Sequence, residues 1–184
     1  MPPEDQPTGH HPPRIVVMGV AGSGKTTVGT ALAERLHLPY ADADEFHPEA
    51  NVAKMRAGHP LDDADRLPWL RAVGAWLVGH ADGGVVSCSA LRREYRDLLR
   101  SFAPDAVFLH LTGDPDVITA RVAARTDHFM PASLVASQLH LLEPLRHDEA
   151  GVVADLSRPV ADLVDEFTDR LRPATAAATK GDPR

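Results

Sequence analysis

A chain of 184 residues that is 43% hydrophobic and 5% aromatic suffices for one domain with a single, mostly aliphatic core and short disordered ends. Its formal charge of −7 argues against a general nucleic-acid or membrane-surface binder, and no apolar run reaches the length of a bilayer span. The lone cysteine, Cys88, excludes an internal disulfide framework and suits a reducing cytosol. With no apolar signal segment at the start, the expected location is cytoplasmic.

In chain order, residues 1–13 are rich in Pro and His and are expected to be a disordered tail. Ile15 to Met18 is an apolar run ending at Gly19, as in a strand buried on both faces. Val28, Leu32 and Leu36 set a helix over Lys25–Leu36, and Pro39–Ala41 makes a short second strand leading into Asp42 and Asp44. A short helix is expected over Pro48–Ala57, with proline near its start, and a longer one over Asp63–His80. Val85–Cys88 reads as a third strand, Leu91–Phe102 as a helix, and Ala106–Leu111 as a fourth strand. Asp114-Pro115 supplies an N-cap and N1 proline for a helix to about Arg125. After a polar break, helix resumes over Ala132–Leu142, Gly151–Asp155 is a fifth strand, and Pro159 opens a last helix. This alternation predicts a three-layer α/β/α domain over 14–172, with a five-stranded parallel sheet, a helical lid at about 121–142 and a second disordered tail at 173–184.

Gly19-Val20-Ala21-Gly22-Ser23-Gly24-Lys25-Thr26 is a complete G-x-x-x-x-G-K-[ST], preceded by an apolar strand and followed by an amphipathic helix. Its glycines let the backbone curl so that successive N–H groups face a phosphate, at the positive end of the following helix. The predicted fold is therefore of the P-loop NTPase type and the predicted co-substrate is ATP. Lys25 is assigned to the β- and γ-phosphates, the Thr26 hydroxyl to Mg²⁺, and Ala21, Gly22, Ser23, Gly24 and Thr27 to the same nucleotide cradle.

The third strand ends Ser87-Cys88-Ser89 and offers no second metal acid. Asp42 and Asp44, two apart in an extended segment, can point the same way. Asp42 is assigned to the metal, through water, and Asp44 to orienting or deprotonating an acceptor hydroxyl. A solvated Asp turn or a helix cap is the competing explanation.

Beyond the loop, the blocks Asp42-Ala43-Asp44-Glu45-Phe46-His47-Pro48, Asn51 with Lys54-Met55, and Gly58 with Pro60-Leu61-Asp62-Asp63 lead into Asp65-Arg66-Leu67-Pro68-Trp69-Leu70. Cys88-Ser89-Ala90-Leu91-Arg92-Arg93-Glu94-Tyr95-Arg96-Asp97, His128-Phe129-Met130 and Gln138 with Leu142-Glu143-Pro144 complete the set. With these blocks the chain resembles the gluconokinases of the shikimate-kinase-like P-loop group from Ile15 to about Leu171, departing at Asp127, where glycine is expected. The resemblance implies phosphoryl transfer from ATP to the 6-hydroxyl of D-gluconate, with a homodimer as a candidate assembly.

A polyhydroxy acid needs a cation and several hydrogen-bonding groups. Asp44, His47, Lys54, Arg66, Ser89, Arg92, His128 and Gln138 are the candidates, with Lys54 and Arg92 favoured for the carboxylate over Arg66. His47 could equally cap the helix beginning at Pro48. Arg93, Arg96 and Arg100 read as a solvated helix face. By analogy with related small kinases, Arg121 is expected to stack on adenine, Arg125 to close over the phosphates as a catalytic cation, and Pro159 to cover adenine's other face. Proline at helix N1 alone explains Pro159 as well. Trp69 and Trp76 are read as core, and Cys88 as a buried strand residue.

Three rival functions remain. A shikimate kinase would carry a Gly-Gly-Gly turn where Ser89-Ala90-Leu91-Arg92 stands. A nucleoside monophosphate kinase would differ in the acceptor blocks. A nucleotide-sensing module would have no use for Asp44 together with lid arginines.

Overall fold

The computed structural model describes residues 12–125 and 131–172. The elements run β1 (Arg14–Met18), α1 (Lys25–Leu36), β2 (Tyr40–Asp42), a one-turn 3-10 helix (Ala43–Phe46), α2 (Glu49–Arg56), α3 (Asp63–Gly79) and β3 (Gly84–Ser87). They continue through α4 (Arg93–Phe102), β4 (Val107–Thr112), α5 (Pro115–Ala123), α6 (Ser133–Leu141), β5 (Gly151–Asp155) and α7 (Val160–Leu171). All four strand pairings are parallel, in the order β2-β3-β1-β4-β5.

Period-two alternation in β1 divides the core into two layers. Ile15 and Val17 face Val28, Leu32, Leu163 and Phe167 on one side. Val16 and Met18 face Leu70, Val73, Leu77 and Leu99 on the other. Because both faces are covered, β1 reads as a continuous apolar run. Helices α1 and α7 pack together on the first side, and α3 and α4 on the second.

The strand ends that matter lie in register. Val17 and Asp42 both pair with Ser87, so the residues following β1, β2 and β3 emerge along one edge of the sheet. That carboxyl edge, where the strand order reverses around β1, is where open α/β sheets bind ligands. Most element boundaries fall within one or two residues of the sequence expectation, and α1 and β5 match it at both ends. Asp44 lies in the 3-10 turn and not in the extended segment expected, and the helix cap named as the competing explanation is present at Asp42. Asp42 caps the turn, accepting from the Asp44 backbone N–H at 3.0 Å. The tails, apart from Pro12 and Pro13, and residues 126–130 of the expected lid, with His128, lie outside the described residues.

Candidate active site

The loop between β1 and α1 is held from three directions. Its first amide, Gly19 N–H, donates to the Ser89 carbonyl at 3.4 Å, tying it to the end of β3. The Ser87 hydroxyl donates to the Lys25 carbonyl at 2.8 Å and accepts from the Tyr40 hydroxyl at 2.9 Å. Ser87 thus anchors the first turn of α1 where many P-loop proteins place an acid. Gly24 is the α1 N-cap at φ 91°, a left-handed conformation that favours glycine. Gly22, at φ 82°, has a second constraint: a Cβ there would meet the Val122 side chain at 2.5 Å, so glycine lets α5 pack directly on the loop.

One cleft opens above this loop, and most of the residues singled out from sequence line it. Ala21, Gly22, Lys25, Thr26, Asp42 and Arg125 surround its phosphate end. Asp44, His47, Arg66, Ser89 and Gln138 extend it, together with Trp69, Ser137 and the apolar side chains of Met55, Leu61, Leu91 and Leu134. Ser23 is buried within the loop, Thr27 is exposed on α1, and neither lines the cleft.

At the phosphate end, Lys25 Nζ donates to the Val20 carbonyl at 3.0 Å. Burial lowers the Lys25 pKa, while the Asp44 and Asp42 carboxylates act in the opposite direction. The Thr26 hydroxyl donates to the Asp42 carboxylate at 3.0 Å. This pair is a hard oxygen donor set suited to Mg²⁺, which commonly takes one or two protein oxygens and completes its shell with phosphate and water. Among the described residues no group of three or more His, Cys, Asp or Glu side chains could hold a metal without such help.

Farther along the cleft, the His47 ring stacks on Trp69 with centroids 4.3 Å apart and planes 14° from parallel. Trp69 is 2% exposed and donates its indole N–H to the Ala43 carbonyl at 2.6 Å, so it is both core and cleft wall. Burial pushes the His47 pKa down to about 4, with Arg66 adding to the effect and Asp44 opposing it. His47 is therefore neutral at pH 7. Arg66 donates to the Tyr95 hydroxyl at 3.5 Å, and its guanidinium lies 5.7 Å from the Tyr95 ring centroid. Tyr95 in turn donates a short hydrogen bond to Asp63. The Gln138 side-chain oxygen accepts from Ala21 N–H at 2.7 Å, joining α6 to the phosphate loop.

The structure does not bring Lys54 and Arg92 to this cleft. Lys54 Nζ lies 2.5 Å from Asp65 and 3.7 Å from Asp62. Those two acids form the capping box of α3, each side chain accepting the other's backbone N–H. Lys54 therefore fastens α2 to the start of α3. Arg92 pairs with Glu94 at 2.9 Å and Asp63 at 3.4 Å. Arg121 and Pro159 also lie away from the cleft lining, and Arg121 makes a long 3.5 Å contact with the Leu156 carbonyl in the loop that leads to Pro159. Arg121 and that loop thus meet beside the sheet edge. His128 lies outside the described residues.

The solvated reading of the α4 arginines needs correction, most of all at Arg96, which is completely buried. Its guanidinium meets both oxygens of buried Glu149, at 2.7 and 2.9 Å, and donates to the carbonyls of Ala90, Leu91 and Glu143. Arg100 adds a 2.6 Å bond to Glu149, and Arg93 pairs with Asp97 and Asp148. Burial alone would raise the Glu149 carboxyl, but hydrogen bonds from Arg96, the Arg146 backbone and Arg100 outweigh it and hold the pKa at about 2. Helical spacing could not distinguish this anchor from a solvated arginine, because its partner lies more than fifty positions away. The network clamps the turn after β3, where Ala90 sits at φ 44°, and so fixes Ser89 and Leu91 in the cleft wall. Cys88, as expected, is buried, and burial pushes its thiol up to about 12.

A family model described as shikimate kinase matches residues 21–171. The chain is 47% identical to the gluconokinase of Gluconobacter oxydans over 146 residues, covering 77% of this chain and 81% of that one. It is 40% identical to the thermoresistant gluconokinase of Escherichia coli over 161 residues, covering 85% and 92%. The solved gluconokinase from Sinorhizobium meliloti superposes with a TM-score of 0.78 at 47% identity, covering 85% of this chain and 90% of that one.

Proposed function

This chain belongs to the gluconokinases within the shikimate kinase family, and from that membership we propose a residue-level account of phosphoryl transfer from ATP to the 6-hydroxyl of D-gluconate. The observation that carries it is the shared cleft that Lys25, Thr26, Asp42 and Asp44 line together with His47, Arg66 and Ser89.

The curled loop and Lys25 bind the triphosphate, and Thr26 with Asp42 would hold Mg²⁺, whose charge offsets that of the phosphates. Asp44 orients the 6-hydroxyl and takes its proton as that oxygen attacks the γ-phosphorus. The bond from the γ-phosphorus to the bridging oxygen breaks, and the electron pair leaves on ADP. Arg125 brings positive charge to the transferring group from the lid side and helps to exclude water. Arg121 and Pro159 flank the adenine.

Arg66 takes the gluconate carboxylate, because it is the substrate-side cation that lines the cleft and its fork can meet both oxygens. His47, Ser89 and Gln138 serve the hydroxyls, and His128 joins them from the lid. Lys54 and Arg92 act one step back: Lys54 holds the α2–α3 junction, and Arg92 flanks the Tyr95 ring 6.0 Å from its centroid. No helix among the described residues is long and apolar enough to cross a membrane. A cytoplasmic enzyme is the reading we favour, with a homodimer as its assembly.

The test is ADP release in a coupled assay with ATP and magnesium across D-gluconate, other sugar acids, shikimate and nucleoside monophosphates. Gluconate should be preferred and 6-phosphogluconate should accumulate. Faster turnover of shikimate or a nucleoside monophosphate would overturn the assignment.

A further inference from the structure

Asn51 is 4% exposed on α2, a buried amide that the reaction does not use directly. Its side-chain nitrogen lies 3.0 Å from the Asp65 backbone carbonyl and 3.3 Å from His47 Nδ1. The carbonyl can only accept, so the amide must present its NH₂ there and not its oxygen. The same NH₂ group has a second hydrogen, and His47 Nδ1 is the atom placed to receive it. An Nδ1 that accepts is unprotonated. In a neutral ring the proton then sits on Nε2.

From this contact, and on the reading of the cleft given above, the geometry points to Asn51 as a positioning residue that fixes His47 in its Nε2–H tautomer, so that the imidazole donates a hydrogen bond to an oxygen of the bound polyhydroxy acid. Trp69 covers a face of the ring and Asn51 occupies Nδ1, so Nε2 is the polar atom left to a ligand in the cleft. The charged groups acting on the ring are Asp44 from the 3-10 turn and Arg66 from α3, with burial the largest influence and the whole keeping His47 neutral to about pH 4. The donor is thereby constant across the physiological range. An imidazole with its proton on Nδ1 would present a lone pair to the substrate, which a carboxylate, or a hydroxyl whose proton is already donated elsewhere, would reject.

The test has two arms. Long-range ¹H–¹⁵N spectra of the ¹⁵N-histidine-labelled wild-type protein should show His47 protonated on Nε2 and not Nδ1 at every pH from 8 down to 5.5. In Asn51→Asp the new carboxylate can accept from Nδ1–H, reversing the tautomer at high pH and favouring the imidazolium as pH falls. Its KM for gluconate should rise about tenfold at pH 8 and recover toward the wild-type value below pH 6, with kcat and the KM for ATP within about twofold. Simple structural damage would not reverse with pH. His47→Gln, whose amide places an N–H near the Nε2 position, should retain more gluconate affinity than His47→Leu. A wild-type proton on Nδ1 would overturn the inference even if Asn51→Asp failed to fold, as would a flat, unchanged gluconate KM in a folded Asn51→Asp. Failure of the wild type to phosphorylate gluconate would instead sink the functional reading, whatever the His47 spectrum showed.

Discussion

The two halves of the cleft are built by different means. The proposed nucleotide half centres on one contiguous run, Gly19 to Thr26, whose backbone N–H groups are directed by glycine conformation, with Asp42 and Arg125 beside it. The half proposed for the acceptor is lined by side chains from separate segments: His47 after the 3-10 turn, Arg66 on α3, Ser89 after β3 and Gln138 on α6. Backbone recognition is local, so it can be read from spacing. Side-chain recognition depends on which way each helix is rotated, and that is decided by packing far away in sequence.

The largest expected effect lies in the nucleotide half. Lys25→Ala should reduce kcat by about 10³-fold or more, since it removes the cation proposed to hold the β- and γ-phosphates. Near-normal kcat would detach the loop from catalysis. At the boundary between the halves, Asp44→Asn should lower kcat by about 10²–10⁴-fold while leaving ATP affinity near wild type. If ATP binding fell in parallel, Asp44 would belong to the metal site and not to the acceptor.

The buried pair under the acceptor wall offers a stability test that also separates the halves. Arg96→Met leaves Glu149 buried without its main partner and should cost about 3–5 kcal/mol. Adding Glu149→Leu should recover much of that loss. In protein that still folds, the KM for gluconate should rise more than that for ATP, because Arg96 holds the carbonyls beside Ser89.

A smaller, pH-dependent effect comes from His110, 1% exposed in β4 with neither ring nitrogen hydrogen-bonded among the described residues. Burial holds its pKa down at about 4, Arg96 lowers it further, and Glu149 opposes them. Above pH 6.5 the ring is neutral in both the folded and unfolded states. Below it the unfolded chain takes up the proton first, so stability should fall between about pH 6.5 and 4, by up to about 3 kcal/mol from this residue. His47 acts in the same direction. His110→Leu should flatten part of the thermal-stability profile in that window. An unaltered profile would show that His110 is not the group responsible.

Much of the architecture was legible because its signals are local. The apolar runs of β1 and β3, the Asp114-Pro115 start of α5 and the Gly24-Lys25 entry to α1 each specify themselves within a few residues. The cleft residues within or beside such signals were legible too. What spacing could not decide was the choice among cations. On sequence Lys54 and Arg92 are favoured over Arg66, yet the first is taken by Asp65, the second by Glu94 and Asp63, and Arg66 alone of the three lines the cleft. Arg96 looked solvated because Glu149 is distant in sequence. Asn51 was visible within a resembling block, four residues after His47, but only its burial reveals what it holds.

The most direct test of this division is to compare kcat/KM for D-gluconate with that for D-glucitol, the matching polyol without the carboxylate, in wild type, Arg66→Ala and Arg92→Ala. A charge-assisted hydrogen bond to the carboxylate is worth about 1.5–3 kcal/mol, so Arg66→Ala should shrink the preference for gluconate by about 10–100-fold, while Arg92→Ala changes it less than about threefold. If the preference survives in Arg66→Ala and collapses in Arg92→Ala, the acceptor half has been assigned to the wrong cation.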